Sequence, residues 1–428
     1  MTDGISRRRF VGAGAAVLGG GAAFGAGAVR FGDGTAPESV AEAAGPGDED
    51  VAAAARSWRG VRRLFSLDPR FAHLSAFILA PHSAPVRAAI ERHRRGFDRD
   101  PRRYLTNNEH REERVAVAAA RHLGTSPGQI ALTDSTTMGL GLALAGLRLG
   151  AGDEIVLSRH EHYSSRTAAQ LTGARVEEIE LYPPRAPERA GHDEIVGAID
   201  RAIGPATKVV VVTWVHSSSG IRLPLRAVAD AVGDRALLVV DAAHALGTGP
   251  IDAAQSGADV LVAGAHKWLL GPRGTGIVWA RGEAWERIQP TIPTFRGDQS
   301  PGARHTPGGY HSFEHRWAAE QAFRLQQAVG QARIGRRIDQ LANRLRAGLR
   351  GIPGVTVHAP DDPRLHSGVV TFSLAGRDAA STADGLSARR VHGSVTPYDV
   401  QLARLGATWM NTPGEVDRAI RAVRDLAA

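Results

Sequence analysis

Between residues 130 and 280, short apolar runs alternate with longer stretches that mix apolar and charged positions. The runs are Ile130-Ala131-Leu132, Glu154 to Leu157, Arg175 to Leu181, Lys208 to Thr213, Ala236 to Val240, Val260 to Ala263 and Gly276 to Val278. Several of them, such as Val209-Val210-Val211-Val212, have no alternating polar position. Strands covered on both faces read this way, and helical segments between them supply the cover. The predicted fold class is therefore α/β, an open and mostly parallel sheet.

Outside this region the pattern changes. Trp58 to Arg70 reads as helical or irregular, Ala84 to Arg95 as a helix after Pro81 and Pro85, and Glu112 to Leu123 as a helix closed by Gly124. Beyond residue 300, Phe313 to Val329 and Ile334 to Leu349 predict long helices. Strands at Val355 to His358 and Gly368 to Ser373 follow, then helices at Gly385 to Val391 and Glu415 to Ala427. This predicts a large domain over 104–298 and a smaller C-terminal α/β domain over 299–428, with the N-terminal segment 56–103 packing on the latter. In an open sheet, ligands gather outside the carboxyl ends of the strands, so those loops are where chemistry is sought.

The first 55 residues stand apart. Ser6-Arg7-Arg8-Arg9-Phe10 precedes a weakly hydrophobic Gly/Ala-rich stretch from Val11 to Val29, the pattern of a twin-arginine export signal over residues 1–30. Its many glycines and the lack of a stop-transfer pattern argue against stable membrane insertion after processing. Residues 31–55 read as a linker. The expectation is a protein handed to the twin-arginine machinery and located in the periplasm or outside the cell. The chain has no cysteine, which removes disulfides, thiolate metal ligands and any cysteine nucleophile.

Charge changes the picture little. Of the formal +8, the signal supplies +3, four arginines against Asp3, so the remainder is only mildly basic. The cluster Arg92, Arg94, Arg95, Arg99, Arg102 and Arg103 is interrupted by Glu91, Asp98 and Asp100 and has no aromatic ladder, so no nucleic-acid partner is expected.

Lysine usage is more informative, because the chain contains two lysines against fifty arginines. Lys208 opens a strand and reads as a solvated element end. Lys267 lies in Ala265-His266-Lys267-Trp268-Leu269-Leu270-Gly271-Pro272, among apolar and small residues. A guanidinium cannot give up its proton and attack a carbonyl, whereas an amine can form a Schiff base. Twenty-six residues earlier, Asp241-Ala242-Ala243-His244 ends another strand, so neighbouring parallel strands would bring an amine and a carboxylate to one rim. Pyridoxal 5'-phosphate needs that pair: the amine for its aldehyde, the carboxylate to keep its ring nitrogen protonated. Asp241, His244 and His266 could alternatively hold a metal, but their spacing matches no metal motif.

Two further segments join them. Thr133-Asp134-Ser135-Thr136-Thr137-Met138-Gly139 offers hydroxyls and free amides at a helix start, which suits a phosphate as well as an ordinary cap. His160-Glu161-His162-Tyr163 follows a strand end, where an imidazole could stack on a conjugated ring or simply form a turn.

In chain order, these segments resemble the class V aminotransferases of fold type I, pyridoxal-phosphate enzymes that include cysteine desulfurases, isopenicillin-N-epimerase-like proteins and kynureninase. The resemblance runs from about Leu74 to the C-terminus and is clearest at Asp-x-Ala-His and His-Lys. It implies that Lys267 forms the Schiff base, that Asp241 pairs with the ring nitrogen and that Ala243 packs on the ring face opposite His162. It also implies that His244 lies near the ring hydroxyl, and that Thr136, Thr137 and His266 approach the phosphate. Ser217 stands where relatives carry Asn, Ser or Thr and would meet the ring hydroxyl or substrate. Arg404 stands where the family clamps a substrate carboxylate, a task that suits a planar bidentate donor.

The sequence departs from the family at Gly406 and Met410-Asn411-Thr412, on the substrate side, and at Gly309-Tyr310-His311, where relatives reach the partner subunit's phosphate. The resemblance implies a homodimeric enzyme acting on an amino acid, aminotransferase-like, with C–S lyase or epimerase chemistry as alternatives. A reading of another class is an exported, non-catalytic binding module built on the same fold.

Overall fold

The computed structural model of the chain describes residues 47–295 and 299–428, which lie in a compact unit extending from Ala43 to Ala428. The expected signal and most of the expected linker fall outside the described residues. The linker's last stretch is instead a helix, Asp48–Ala55, whose Ala55 is buried in an apolar cluster with Val61, Phe65 and Trp409.

Among the described residues, thirteen strands are numbered in chain order. They are β1 (Ala72–His73), β2 (Ile130–Thr133), β3 (Glu154–Ser158), β4 (Arg175–Ile179), β5 (Thr207–Thr213), β6 (Leu237–Asp241) and β7 (Val260–Gly264). Then come β8 (Gly276–Ala280), β9 (Val355–Val357), β10 (Val369–Leu374), β11 (Val391–His392), β12 (Ser394–Val395) and β13 (Ala403–Gly406). The main sheet has seven strands in the order β2-β8-β7-β6-β5-β3-β4. All neighbours are parallel except β8, which runs antiparallel to both β2 and β7. This is the mixed, mostly parallel sheet expected from the apolar runs. Strands β2, β3, β6, β7 and β8 are buried at every position, which is why their sequences lack alternation. The reversal of β8 is not visible in its sequence, since an apolar run buried on two faces carries no direction.

A second sheet, β12-β13-β10-β9, is antiparallel throughout and packs its apolar face on Leu341, Leu345 and Leu349 of the helix Gln331–Arg350 and on Val416 and Val423 of the helix Pro413–Ala427. The short parallel pair β1–β11 ties residues 72–73 to 391–392.

Several expected boundaries move. The helix expected at Gly385 to Val391 is Ala379–Ala388, N-capped by Asp378, and Val391 belongs to β11. The strand expected to reach Leu181 stops at Ile179, and Asp241 is the last residue of β6 rather than the residue after it. The Arg92–Arg103 cluster lies across the helices Ala84–Arg99 and Pro101–Asn107, which break at Asp100, where its side chain accepts from Arg103 N. There Arg94 and Arg95 pair with Glu91, and Arg94 with Asp98, along a solvated face.

Candidate active site

The centre of the site is set by β6 and β7. These adjacent parallel strands, in register Asp241↔Val262, end side by side and send the next residues of each over the same rim. Asp241 is 3% exposed, and its Oδ1 accepts from Ala243 N at 2.8 Å. Burial pushes its carboxyl up, while the Lys267 charge and the Ala243 N–H pull it down. Ala243 is itself buried beside it. A buried carboxylate served by one backbone donor in this chain has acceptor capacity left for a ligand N–H.

Lys267 follows β7 by three residues. Desolvation draws its amine below the usual lysine range; Asp241 opposes the shift and Arg404 adds to it. Lys267 Nζ lies 3.1 Å from His244 Nε2, and Trp268 Nε1 donates to His244 Nδ1 at 3.2 Å. His244 is 5% exposed and held well below the ordinary imidazole value, by burial first and by Lys267 and Arg404 next. The imidazole is therefore neutral.

The hydroxyl-rich segment starts the helix Thr136–Gly146. Ser135 caps it, accepting from Met138 N at 3.1 Å. Thr136 Oγ1 accepts from Gly264 N at 2.7 Å, so the helix start is fastened to the end of β7. Gly139 lets the helix lie directly on the sheet, because a Cβ there would stand 2.5 Å from Val262 Cγ1 and 2.9 Å from Val278 Cγ2. Thr137 is exposed at the same helix start. The His266 ring and Thr136 Oγ1 both flank Gly264, where a Cβ would stand 3.0 Å from His266 Cε1 and 3.3 Å from Thr136 Oγ1, and burial lowers the imidazole to about 4. Thr136, Thr137 and His266 thus gather at one helix N-terminus, with neutral donors suited to an oxyanion.

His162 caps the helix Tyr163–Gln170: its Nδ1 accepts from Ser164 N at 3.3 Å and lies 2.7 Å from Ser164 Oγ. Burial lowers it to about 4, with Lys267 adding to the shift. Its loop is fixed by Glu161, which is buried and accepts from Ser158 Oγ at 2.7 Å and from Thr213 Oγ1. Those hydroxyls stand at the ends of β3 and β5. Burial pushes the Glu161 carboxyl up to about 7, with Asp241 adding to the rise.

Arg404 and Ser217 form the neighbouring group. Arg404, on β13, donates from Nε to Ser394 Oγ at 3.0 Å, from Nη1 to Ser217 O at 2.7 Å and from Nη2 to Val395 O at 3.2 Å. Its guanidinium stands 5.3 Å from the Phe77 ring centroid. Three of its five N–H groups are spent on the chain itself, leaving two. Ser217 Oγ is 2.5 Å from Tyr398 OH. The departing segment Met410-Asn411-Thr412 is structural: Met410 is buried, Asn411 Oδ1 accepts from Thr408 N, and Thr412 caps the last helix.

The structure therefore brings Lys267, Asp241, Ala243, His244, His162, Thr136, Thr137 and His266 to one rim, with Ser217 and Arg404 beside it. Sequence reasoning missed Trp268, Tyr398 and Glu161 as members of the site. For Trp268 the signal was its place next to Lys267; Tyr398 lies 181 residues from its partner and gave none.

These residues fit pyridoxal 5'-phosphate. A desolvated amine, a buried carboxylate with spare acceptor capacity and a hydroxyl-lined helix start match its aldehyde, its ring nitrogen and its phosphate. Fold and site together define a fold type I pyridoxal-phosphate enzyme. The family model for aminotransferase class-V matches residues 104–393, and the chain belongs to that family. It is 31% identical to the isopenicillin N epimerase of Streptomyces clavuligerus over 328 residues, 72% of this chain and 82% of that one. It is 27% identical to a cysteine desulfurase of Klebsiella pneumoniae, over 74% of this chain and 82% of the relative. A structure of C-DES with glycine covalently linked to its PLP cofactor superposes with a TM-score of 0.79 at 20% identity, covering 85% of this chain and 99% of the other.

Proposed function

We propose that the protein uses pyridoxal 5'-phosphate, held at Lys267, to act on the α-carbon of an amino acid. The observation that carries this is the convergence of Lys267, Asp241 and the Thr136 helix start at one sheet rim. When bound, the cofactor supplies an aldehyde for the amine and a ring that draws electrons from the α-carbon. Asp241 would hold the ring nitrogen's proton, His162 would pack on the ring, and Thr136, Thr137 and His266 would hold the phosphate. With the cofactor bound, Lys267 Nζ would be the group of this chain placed to take a proton from the substrate α-carbon and to return it. Arg404 orients the substrate carboxylate with its two remaining N–H groups.

Transamination is the first reading of where that proton goes. Epimerisation is the second, favoured by the Tyr398–Ser217 hydroxyl pair, which offers a proton carrier other than Lys267 on the substrate side. C–S cleavage remains open only in a form without an enzyme persulfide, because the chain has no cysteine. Borohydride reduction of the cofactor-saturated protein followed by peptide mass analysis is expected to place pyridoxal on Lys267. Its absence would reject the proposal, and a bound cofactor with no turnover of any amino acid would support the binding module instead. Lys267→Ala is expected to abolish turnover. An amino-acid screen that scores keto acid, ammonia, sulfide and inverted α-carbon separates the outcomes.

We also propose that residues 1–30 direct export through the twin-arginine pathway and that the protein works as a homodimer outside the cytoplasm. Replacing Arg7 and Arg8 by lysine is expected to leave the protein in the cytoplasmic fraction. Among the described residues, no helix is long and apolar enough to cross a membrane.

A further inference from the structure

We propose that Trp268 is a positioning residue that fixes the tautomer of His244 and thereby keeps the Lys267 amine unprotonated and ready to capture its aldehyde. The inference rests on the reading of Lys267 as the cofactor lysine. An indole N–H donates and cannot accept, so His244 Nδ1, 3.2 Å from Trp268 Nε1, must present a lone pair. His244 is buried and neutral, so its one proton sits on Nε2. Nε2 lies 3.1 Å from Lys267 Nζ. A hydrogen bond across that gap needs an acceptor at Nζ, which a free amine provides and an ammonium does not. An ammonium would turn three donors toward an N–H, and the imidazole could answer only by moving its proton to Nδ1, against the Trp268 N–H. The arrangement thus penalises the protonated lysine, in the same direction as the desolvation and the Arg404 charge acting on it and against the Asp241 carboxylate, while His162 and His266, which also face His244, are themselves lowered by burial.

The indole is held for this task. Trp268 is 1% exposed, and its ring stacks on Phe77 with centroids 5.8 Å apart. Its carbonyl accepts from Gln326 Nε2 and from Trp409 Nε1, both at 3.0 Å. Gly368 makes room for the ring edge, where a Cβ would collide with it. Neither Phe nor Leu at position 268 could supply the N–H, whatever their packing.

The test is the pH dependence of cofactor capture by apo-protein, read by borohydride trapping at Lys267 rather than by turnover. Trp268→Phe keeps a ring of similar shape and removes the donor. His244 can then carry its proton on Nδ1 and accept from the Lys267 ammonium, so the midpoint of the capture-rate profile is expected to rise by about one pH unit. A loss of packing alone would lower capture equally at all pH values and leave the midpoint in place, which would overturn the proposal. In a His244→Gln background, Trp268→Phe is expected to move the midpoint no further, and an equal shift there would also overturn it. If Trp268→Phe does not fold, nitrogen-15 spectra of the wild-type apo-protein decide: protonated Nε2 on His244 supports the lock, and protonated Nδ1 refutes it. Wild-type protein that captures no pyridoxal at any pH fails the functional reading, whereas the tautomer is read without any cofactor.

Discussion

At the residue scale, a few side chains do work that their neighbours in sequence announce, and others do work that only the fold reveals. Glu161 is of the second kind. Its side chain is buried between the ends of β3 and β5, and burial pushes its carboxyl up to about 7 from an ordinary value of 4.5. The unfolded chain then loses this proton at lower pH than the folded one, so the fold is relatively favoured below about 4.5 and loses that advantage as pH rises through about 7. Glu161→Gln removes the titration while keeping the shape. Its stability relative to wild type is expected to improve between pH 4.5 and 7, by up to about 3 kcal/mol, in denaturant melts at both pH values. A constant difference across that range would show that Glu161 does not change charge inside the fold. Lys267 and Asp241, by contrast, were legible in the sequence, because a rare amine in an arginine-rich chain and a carboxylate at a strand end each carry their own chemical signal. The His244–Lys267 approach was not, since nothing in Asp241-Ala242-Ala243-His244 says which way the imidazole turns. Nor was the spending of three Arg404 donors on Ser394, Ser217 and Val395, which is decided by β12 and β13 lying against the turn at residue 217.

At the element scale, the helix Thr136–Gly146 links packing to binding. Its Gly139 sits on β7 and β8, and its first hydroxyl is tied to Gly264 N, so its height above the sheet sets where its free amides point. Gly139→Val would force the helix away from Val262 and Val278. The expected cost is about 1–3 kcal/mol of stability, as for other overpacked cores, with cofactor affinity falling by at least about tenfold. Thermal melts and cofactor titrations measure the two effects, and a variant that melts lower but binds the cofactor as wild type would show that the helix start is positioned independently of its packing. Apolar runs and capping signals made most of these elements legible. Several that escaped are short, among them β1, β12 and β13 and the helices Pro101–Asn107, Gly282–Arg287 and Pro301–His305. Segments of that length carry too few residues for a period to emerge, and tertiary contacts decide them. The same holds for β11, where Val391 leaves the expected helix because parallel pairing with Ala72 satisfies its backbone.

At the scale of the whole molecule, the segment around Gly309 bears on assembly. Phe295 is 77% exposed and Tyr310 83% exposed, with ring centroids 6.4 Å apart, and Ile292 is 40% exposed nearby in sequence. Two aromatic rings held out to water on one surface are costly unless another surface covers them. A second copy of the chain is the cover that the proposed homodimer supplies, since a two-fold contact matches a patch to its own counterpart. Replacing both rings with aspartate places four charges into such a contact, two from each copy, and leaves the buried core of a single chain untouched. Phe295→Asp with Tyr310→Asp is therefore expected to weaken association by at least about 100-fold, which sedimentation velocity across a dilution series reads directly. Because the family resemblance implies a reach to the partner's phosphate from this segment, while this chain carries Gly309-Tyr310-His311 there, the monomeric form also reports on the site. If it binds pyridoxal phosphate as tightly as wild type, the phosphate is held from Thr136, Thr137 and His266 within one copy. If affinity falls together with association, the departure at Gly309 has kept a cross-subunit contact by other means. A double variant that sediments as wild type would place the association surface elsewhere on the molecule.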